Sequence, residues 1–329
     1  MLTHLFDQPL KSGQTMEVIR VQAPQPDMTE AIAQLLLHKG EPWLWQLRLA
    51  LNEGLPGIDN CYYLGRVGEE LVGNIMLVES LPRPVGILGH VFTPEKWRRN
   101  GICSALMRAC TQDFVARGGR ALHLGTGHES PAYWIYHSFG FRSILNTGAM
   151  RWLADETFDE TFFARGKTTV RETQWSDWPP LDALYKNPVG WFLRSFACGQ
   201  WIVAGFEGGY LSMRKRMEHG DIQQVRVLES EHGAIVGIAT LATQPAWHGD
   251  PLLLDFYVHP NFTDRAPDLV RGLDLPGARK VQCYAESSAE AKIEALHDLG
   301  FACEATLQRQ VQFQGEWLDI HCYCNQWSG

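Results

Sequence analysis

The chain has 329 residues, of which 45% are hydrophobic and 20% charged, and its formal net charge is −8. This length suits two cores of about 150 residues each, and the composition excludes a large disordered fraction. An acidic chain without a basic stripe is not expected to bind nucleic acid. Its beginning shows no signal-peptide pattern and no stretch reaches about 20 apolar residues, which predicts a cytoplasmic protein with no membrane partner.

The first half predicts the element order β, α, α, β, β, β, α, β, α, β. Met16 to Val21 alternate in polarity as a strand does, and the apolar spacing after Asp27 predicts a helix over 28–38. The later elements are a helix at 43–51, hairpin strands at 62–66 and 71–78, a strand at 86–92, a helix at 101–116, a strand at 121–124, a helix at 131–138 and a strand at 149–153.

The second half starts the same series again. A polar, acidic stretch over 155–166 separates the halves, so we expect domains at 1–160 and 168–329. Element order carries the repeat, because the sequence similarity between the halves is weak. The predicted elements are a strand near 170–172, hairpin strands at 222–228 and 234–242, a strand at 252–258, a helix at 267–273, a strand at 280–284 and a helix at 289–299.

The eight cysteines are scattered and form no CxxC pair, as expected of reduced thiols. Cys322 and Cys324 stand beside His321 and could be metal ligands, but alternation along a strand explains their spacing better. We therefore expect no metal.

The segment from Val91 to Met107 has the layout of an anion site, because an apolar strand passes through a basic turn into an apolar helix. At a helix start the backbone N–H groups lack intrahelical partners, and the macrodipole favours negative charge. Gly101 would leave these amides uncovered, and Arg98 and Arg99 add positive charge. About thirty residues later a helix ends at Gly140 with Tyr136 one turn before its end. The two segments together indicate a phosphate-bearing cofactor and an acid.

These residues resemble the GCN5-related N-acetyltransferase superfamily over about residues 16 to 155. Arg98 to Cys103 fits the Arg/Gln-x-x-Gly-x-Gly/Ala loop, and Ala132, Tyr136 and Gly140-Phe141 fit the later Ala-x-x-x-Tyr-x-x-x-Gly-Phe. The resemblance implies an α/β fold of two acyl-CoA N-acyltransferase-like domains, each a twisted mixed sheet flanked by helices.

The resemblance also implies acetyl-CoA as cosubstrate and carries over its binding residues. Val91, Phe92 and Thr93 are expected along the pantetheine arm. Glu129 stands where many relatives carry an Asn that holds this arm, so Ser130 is expected to substitute. The pyrophosphate loop comprises Arg98, Arg99, Asn100, Gly101, Ile102, Cys103 and Ser104.

The implied chemistry is aminolysis of a thioester. A backbone N–H on the strand at 86–92 can stabilise the oxyanion, and Tyr136 can give the leaving thiolate its proton. Alternatively Tyr136 is only a core residue of an amphipathic helix. The base stays open between His90, Glu79, a group among His123, His128 and Glu129, and no protein base at all. His90 reaches the site only if a bulge interrupts the strand alternation.

The second half of the sequence lacks both the pyrophosphate loop and the tyrosine of the first half. No Arg-x-x-Gly-x-Gly/Ala loop follows Pro260, and Leu296 stands where the first half has Tyr136. We expect residues 168–329 to be a degenerate copy that packs against the first half, where Trp175, Trp178 and Trp191 either line the acceptor site or belong to the core.

The sequence thus favours an acetyl-CoA-dependent N-acetyltransferase acting on a primary amine of a small molecule, a peptide or a protein. A CoA-binding sensor without turnover is the alternative, and a scaffold with two inactive halves is a third interpretation. The acceptor, the acyl length and the oligomeric state stay open.

Overall fold

The computed structural model describes residues 1–81, 84–203, 205–244, 251–276 and 279–325. By its contacts the chain forms two compact units, Met1–Phe158 with Gln174–Ala183 and Asp159–Thr173 with Leu184–Gly329. The segment Gln174–Ala183 thus belongs to the first unit, although it follows Asp159–Thr173 of the second unit in the chain. None of the described helices combines the length and apolar character that a membrane crossing requires.

The first unit contains one mixed sheet beneath several helices. In the described residues its strand order is β1-β2-β3-β4-β5-β6-β8-β7, and neighbours are antiparallel except β5 and β6. The elements in chain order are β1 (Leu2–Pro9), β2 (Thr15–Gln22), α1 (Thr29–Leu35), α2 (Trp43–Glu53), β3 (Ile58–Val67), β4 (Glu70–Ser80), β5 (Val85–Phe92), α3 (Ile102–Ala116), β6 (Ala121–Gly125), α4 (Pro131–Ser138), β7 (Arg142–Ser143), β8 (Ala149–Leu153) and α5 (Phe158–Phe162).

The apolar face of α3 packs on this sheet and forms the core with it. Ile102 and Leu106 of α3 are buried against the strands, and Gly73 of β4 lies directly beneath them. A Cβ at Gly73 would lie 2.6 Å from Cγ2 of Ile102 and 3.0 Å from Cδ1 of Leu106. The absence of a side chain at Gly73 therefore lets the first turn of α3 approach the sheet.

The second unit contains a mixed sheet whose strand order in the described residues is β16-β17-β15-β14-β13-β12-β9, with β14 and β15 parallel. The remaining elements in chain order run from β9 (Thr168–Glu172), α6 (Trp178–Lys186), β10 (Leu193–Ser195), β11 (Gln200–Trp201) and α7 (Phe206–Glu218) to β12 (Ile222–Ser230), β13 (Ile235–Thr243), β14 (Leu252–Val258), α8 (Ala266–Arg271), β15 (Val281–Glu286), α9 (Glu290–Asp298), β16 (Phe301–Phe313) and β17 (Glu316–Asn325). Helix α6 belongs to the first unit up to Ala183 and to the second from Leu184.

The two sheets share one topology. The order β2-β3-β4-β5-β6-β8-β7 in the first unit corresponds strand by strand to β9-β12-β13-β14-β15-β17-β16 in the second. The parallel pair is in each case the fourth and fifth strand of this series. The fold class expected from the sequence, a mixed sheet flanked by helices in each half, is confirmed. Strands β1, β7 and β16, the β10–β11 hairpin and helices α5, α6 and α7 were not predicted.

Candidate active site

A gap opens between the two parallel strands of the first unit. Only Val85, Gly86 and Ile87 of β5 pair with β6, although β5 continues to Phe92. Within the described residues no part of β6 pairs with β5 beyond Ile87. The backbone groups on this side of Leu88–Phe92 are therefore available to an extended ligand, in the way that a sheet edge accepts an added strand.

A bulge reshapes β5 within this gap. Met76 of β4 pairs with Gly89 and Asn74 pairs with Phe92, so His90 and Val91 together face the single residue Ile75. His90 has φ +50°, which is rare for a residue other than glycine and marks local strain. The bulge that sequence alternation required for His90 is present, and it changes the direction of the strand at this point.

Asn74 holds the bulge in place and was missed by the sequence reasoning. Its side-chain amide donates a 2.8 Å hydrogen bond to the carbonyl oxygen of His90, and Asn74 is itself fully buried. The available signal was a polar residue within the apolar run from Leu71 to Val78, since a buried amide needs a specific partner.

The turn after β5 is tied together by its own side chains. Nε of Arg98 donates to the carbonyl oxygen of Thr93 at 3.2 Å, and Nδ2 of Asn100 donates to that of Trp97 at 3.2 Å. Nε1 of Trp97 donates to Glu70 at 3.0 Å and so fixes the turn to the start of β4. These contacts fix the backbone of the turn and leave the Arg98 side chain largely exposed.

This turn ends in left-handed backbone at the start of α3. Arg99 has φ +66° and Gly101 has φ +87°, and Gly101 is the N-cap residue of a helix without a side-chain cap. Residues of this conformation turn successive N–H groups toward one point and form anion-binding concavities. A Cβ at Gly101 would meet no atom within 4 Å, so open space lies in front of the helix terminus. The geometry suits a phosphate group held by backbone amides.

Ile102, Cys103 and Ser104 begin α3 and differ in what they offer to a ligand. Ile102 is 1% exposed and packs into the core, so only its amide can contribute. Burial raises the pKa of the Cys103 thiol to about 11. At neutral pH this thiol is protonated, which argues against Cys103 as an acyl-accepting nucleophile.

Tyr136 lies on α4 within the core of the first unit. It is 7% exposed and its ring packs at 6.1 Å from that of Phe141. Ser130 caps α4, because its hydroxyl accepts a hydrogen bond from the amide of Tyr133 at 3.2 Å. The Ser130 hydroxyl, which was expected to hold the cofactor arm, thus also caps the N-terminus of α4. The neighbouring Glu129 is exposed.

The His90 ring is enclosed by residues of the α1–α2 region. It is 7% exposed and meets the Trp43 ring edge-on at 5.0 Å. Burial, with the nearby charges of Lys39 and His38, lowers the pKa of His90 to about 3. Within the described residues neither ring nitrogen has a hydrogen-bond partner. His90 is therefore a neutral imidazole with two unused polar atoms at the bulge.

Glu79 does not lie with His90. It pairs with Gly86, at the end of β5 where the strands are still joined, roughly 13 Å along the strand from His90. Its carboxylate forms an ion pair with Arg117, which also binds Asp59 and Asp113 at 3.0 Å each. Burial raises the pKa of Glu79 to about 7 despite the opposing charge of Arg117. Glu79 therefore belongs to a buried cluster of ion pairs centred on Arg117, which has a structural role.

The remaining expected residues fall into two groups. His123 is buried and is the last residue of β6 that pairs with β5. His128, in contrast, is exposed and packs against Tyr133. The three tryptophans are core residues of their units. Trp175 contacts Trp45 and Trp178 within the first unit, and Trp191 packs on Phe256 and Tyr257 within the second.

The corresponding region of the second unit has a different construction. Only Leu252 and Leu253 pair β14 with β15. His259 and Pro260 then lead through 3₁₀ backbone into α8, which has six residues. Between Leu252 and Val281 the described residues contain no left-handed position. In the part of the chain that the structure describes, the left-handed turn of the first unit therefore has no counterpart at this place.

The strand, bulge, left-handed turn and helix follow one another within the segment that a family model recognises. Residues 29–141 match the model of the acetyltransferase (GNAT) family. No curated protein sequence matches the chain. The matched residues include α1 to α4 and the gap between β5 and β6, and they do not extend into the second sheet.

Solved structures of similar proteins each account for about half of the chain. A putative acetyltransferase from Salmonella typhimurium with acetyl-CoA is 22% identical over 49% of this chain and 94% of its own, with a TM-score of 0.38. A ribosomal-protein-alanine N-acetyltransferase from Brucella melitensis is 22% identical over 48% and 98%, with a TM-score of 0.39. The spermidine N-acetyltransferase of Vibrio cholerae, in complex with CoA and spermine, is 16% identical over 49% and 96%, with a TM-score of 0.40.

Proposed function

We propose that residues 1–160 transfer an acetyl group from acetyl-CoA to a primary amine of a small molecule, a peptide or a protein. The left-handed turn at Arg99–Gly101, opening onto the uncapped end of α3 beside a splayed strand pair, carries this proposal. The GNAT domain at 29–141 supports acetyl transfer as the reaction class.

The site offers one place for each part of the cosubstrate. The backbone of Val91–Thr93 borders the gap, where an extended pantetheine arm can hydrogen-bond as an added strand. The amides of Arg99–Ser104 face the pyrophosphate position, with Arg98 and Arg99 adding charge. Acetyl-CoA supplies an acetyl group activated as a thioester.

The backbone near the bulge is assigned the stabilisation of the oxyanion, and Tyr136 is assigned the protonation of the leaving thiolate. A backbone N–H freed where β5 leaves β6 stabilises the developing negative charge on the carbonyl oxygen. Tyr136 gives a proton to the departing thiolate, since phenol and thiol have ordinary pKa values of about 10 and about 8.5.

His90 orients the attacking amine as a neutral hydrogen-bond acceptor. With its pKa lowered to about 3, it cannot retain a proton taken from an ammonium group near neutral pH. We infer that the amine loses its proton to water and that His90 accepts one N–H of the neutral amine. Glu79 is not assigned a role in the transfer. Its ion pair with Arg117 holds it at the end of β4 that pairs with the start of β5, away from His90.

For residues 168–329 we propose a degenerate copy without a CoA site. It keeps the strand order of the first unit, and the described residues between Leu252 and Val281 contain no left-handed turn.

A thiol-release assay tests the reaction. The full chain is given acetyl-CoA and a panel of primary amines that includes polyamines, amino acids and peptides, and free CoA is measured. We expect release that depends on one class of amine, with the acetylated amine detected by mass spectrometry. Acetyl-CoA cleavage without an acetylated amine would refute the transfer.

A CoA-binding sensor is the second candidate, and the weak basicity at the site favours it. His90 has a pKa of about 3 and Glu79 is ion-paired, so neither is an ordinary general base. Tight binding of acetyl-CoA without thiol release for any amine would support the sensor. Turnover with an amine would exclude it.

A further inference from the structure

A compact group of sulfur and oxygen atoms lies in the second unit. Cys322 and Cys324 are two residues apart on β17, so their side chains share one face of the sheet. Sγ of Cys322, Sγ of Cys324 and a carboxylate oxygen of Glu304 all lie within 4.8 Å of one another. Both cysteines are at most 8% exposed, whereas Glu304 faces solvent.

A bulge in β16 brings Glu304 to the two thiols. Ala302 pairs with Cys324 and Ala305 pairs with Cys322, and the register shifts between Cys303 and Ala305. Glu304 is the extra residue at this shift, and bulges commonly redirect a side chain. Its Oε2 accepts a hydrogen bond from Sγ of Cys324 at 2.7 Å.

We propose that Cys322, Cys324 and Glu304 form a site for a thiophilic divalent cation, with zinc as the natural occupant. Tetrahedral zinc with bonds of about 2.3 Å to sulfur holds its ligand atoms roughly 3.8 Å apart. The separations in the structure come within side-chain adjustment of that value. Three protein ligands leave a fourth position for water or another small ligand.

Lys280 supplies the charge that such a site needs. Its ammonium contacts Oε1 of Glu304 at 2.5 Å, while Oε2 faces the thiols. Two thiolates and one carboxylate exceed the charge of a divalent cation by one negative charge, and Lys280 offsets it. A neutral site is the arrangement that a half-buried position favours.

The neighbouring candidate ligands are directed elsewhere. His321 alternates to the opposite face of β17, where its Nδ1 lies 2.9 Å from the hydroxyl of Thr306. Cys303 is exposed and pairs with Tyr323, so it also belongs to the opposite face. The expectation from sequence that no metal binds considered His321 with the cysteines and did not include Glu304.

Cobalt and zinc binding to the full chain tests the proposal under reducing conditions. The reduced, metal-free protein is titrated with Co²⁺, and the sulfur-to-cobalt charge-transfer band in the near ultraviolet is recorded. Zn²⁺ affinity is then measured by competition with a chromophoric chelator. We expect one equivalent of Co²⁺, displaced by Zn²⁺, and a higher unfolding temperature with Zn²⁺ because the ion links β16 to β17.

Single substitutions locate the site. Cys322→Ser and Cys324→Ser should at least halve the charge-transfer band and weaken Zn²⁺ binding by about 100-fold or more, since even outer contacts of a metal site contribute 10–100-fold. Glu304→Gln should retain the band and weaken binding. Cys303→Ser, on the same strand and the opposite face, is the matched control and should bind as the wild type does.

The proposal fails if the wild-type chain shows no charge-transfer band. It also fails if Cys322→Ser or Cys324→Ser, with unchanged circular dichroism, binds Zn²⁺ as tightly as the Cys303→Ser control. Neither result depends on acetyl transfer, because binding alone is measured.

Discussion

His90 is a buried histidine whose two ring nitrogens have no hydrogen-bond partner among the described residues. An unsatisfied buried polar group typically costs about 1–3 kcal/mol, and left-handed backbone at a non-glycine residue adds strain. Two contacts hold the buried ring and the left-handed backbone in place. The Asn74 side-chain amide donates to the carbonyl oxygen of His90, and the Trp43 ring packs edge-on against the His90 ring. Such strain concentrates at functional sites, which supports a role for His90 toward the acceptor amine.

Burial of His90 as a neutral ring predicts a pH dependence of stability. Its pKa is about 3 in the folded chain and about 6.5 when unfolded, so the unfolded state binds the extra proton between these values. The stability that the neutral ring contributes is present above pH 6.5 and is lost as pH falls toward 3. His90→Gln should reduce the slope of the unfolding free energy against pH by about 1.4 kcal/mol per unit between pH 6 and pH 4. Urea unfolding of both proteins measures the slopes, and equal slopes would contradict the assigned burial.

Tyr136→Phe tests the proton donor. Loss of a positioned acid should lower turnover by about 100-fold or more, while acetyl-CoA affinity changes little because the ring and its packing on Phe141 are kept. Steady-state thiol release and calorimetry measure the two quantities. Tyr133→Phe, also buried on α4, is the matched control and should retain turnover. An unchanged rate in Tyr136→Phe would remove this residue as the acid.

Among the secondary-structure elements, α3 connects the site to a buried ion-pair cluster. Its start follows the left-handed turn of the proposed CoA site, and the residues at its other end, Asp113 and Arg117, join Asp59 and Glu79. Arg20 and the hydroxyl of Tyr63 also bind Asp113. The cluster fixes α3 against β3 and β4, and thereby holds the helix start at the gap.

Arg117→Met should therefore destabilise the first unit by about 3–5 kcal/mol, because it leaves several partly buried carboxylates without their shared cation. Arg66→Met removes an ion pair with Glu17 in which both side chains are over a third exposed, and should cost at most about 1 kcal/mol. Chemical denaturation followed by circular dichroism compares the two variants. Similar losses in both would mean that the cluster does not stabilise α3.

Much of the fold could be predicted because periodicity and turn residues are local signals. The helix over 131–138 and the strand over 149–153 were predicted with the bounds that α4 and β8 have. The β10–β11 hairpin was missed because its strands have three and two residues, too short for any periodicity. Strand β1 was missed because none of its residues is buried and a register shift between His4 and Phe6 interrupts its alternation.

The site could be predicted only in part. The spacing of Arg98, Gly101 and Tyr136 suffices to place the turn, the helix start and α4. The bulge at His90 and its support by Asn74 depend on pairing between strands, which no local pattern reports. Glu304 was missed for the same reason, because a register shift between β16 and β17 brings it to Cys322 and Cys324.

Across the residues that the structure describes, one strand order occurs twice, and the left-handed turn at Arg99–Gly101 follows a parallel strand pair once. Both sheets have a parallel pair that separates after two or three residue pairs. In the described residues only the first pair is followed by left-handed backbone that opens onto a long helix. The account therefore predicts a single CoA site per chain, located at Gly101.

Calorimetric titration of the full chain with CoA tests this claim most directly, with two glycine variants for comparison. Gly101 and Gly118 both have φ +87° and open space around a Cβ, so valine strains the backbone alike at either end of α3. We predict one CoA bound per chain in the wild type and in Gly118→Val, and no detectable binding in Gly101→Val. Two CoA molecules per wild-type chain, or undiminished binding by Gly101→Val, would contradict the account.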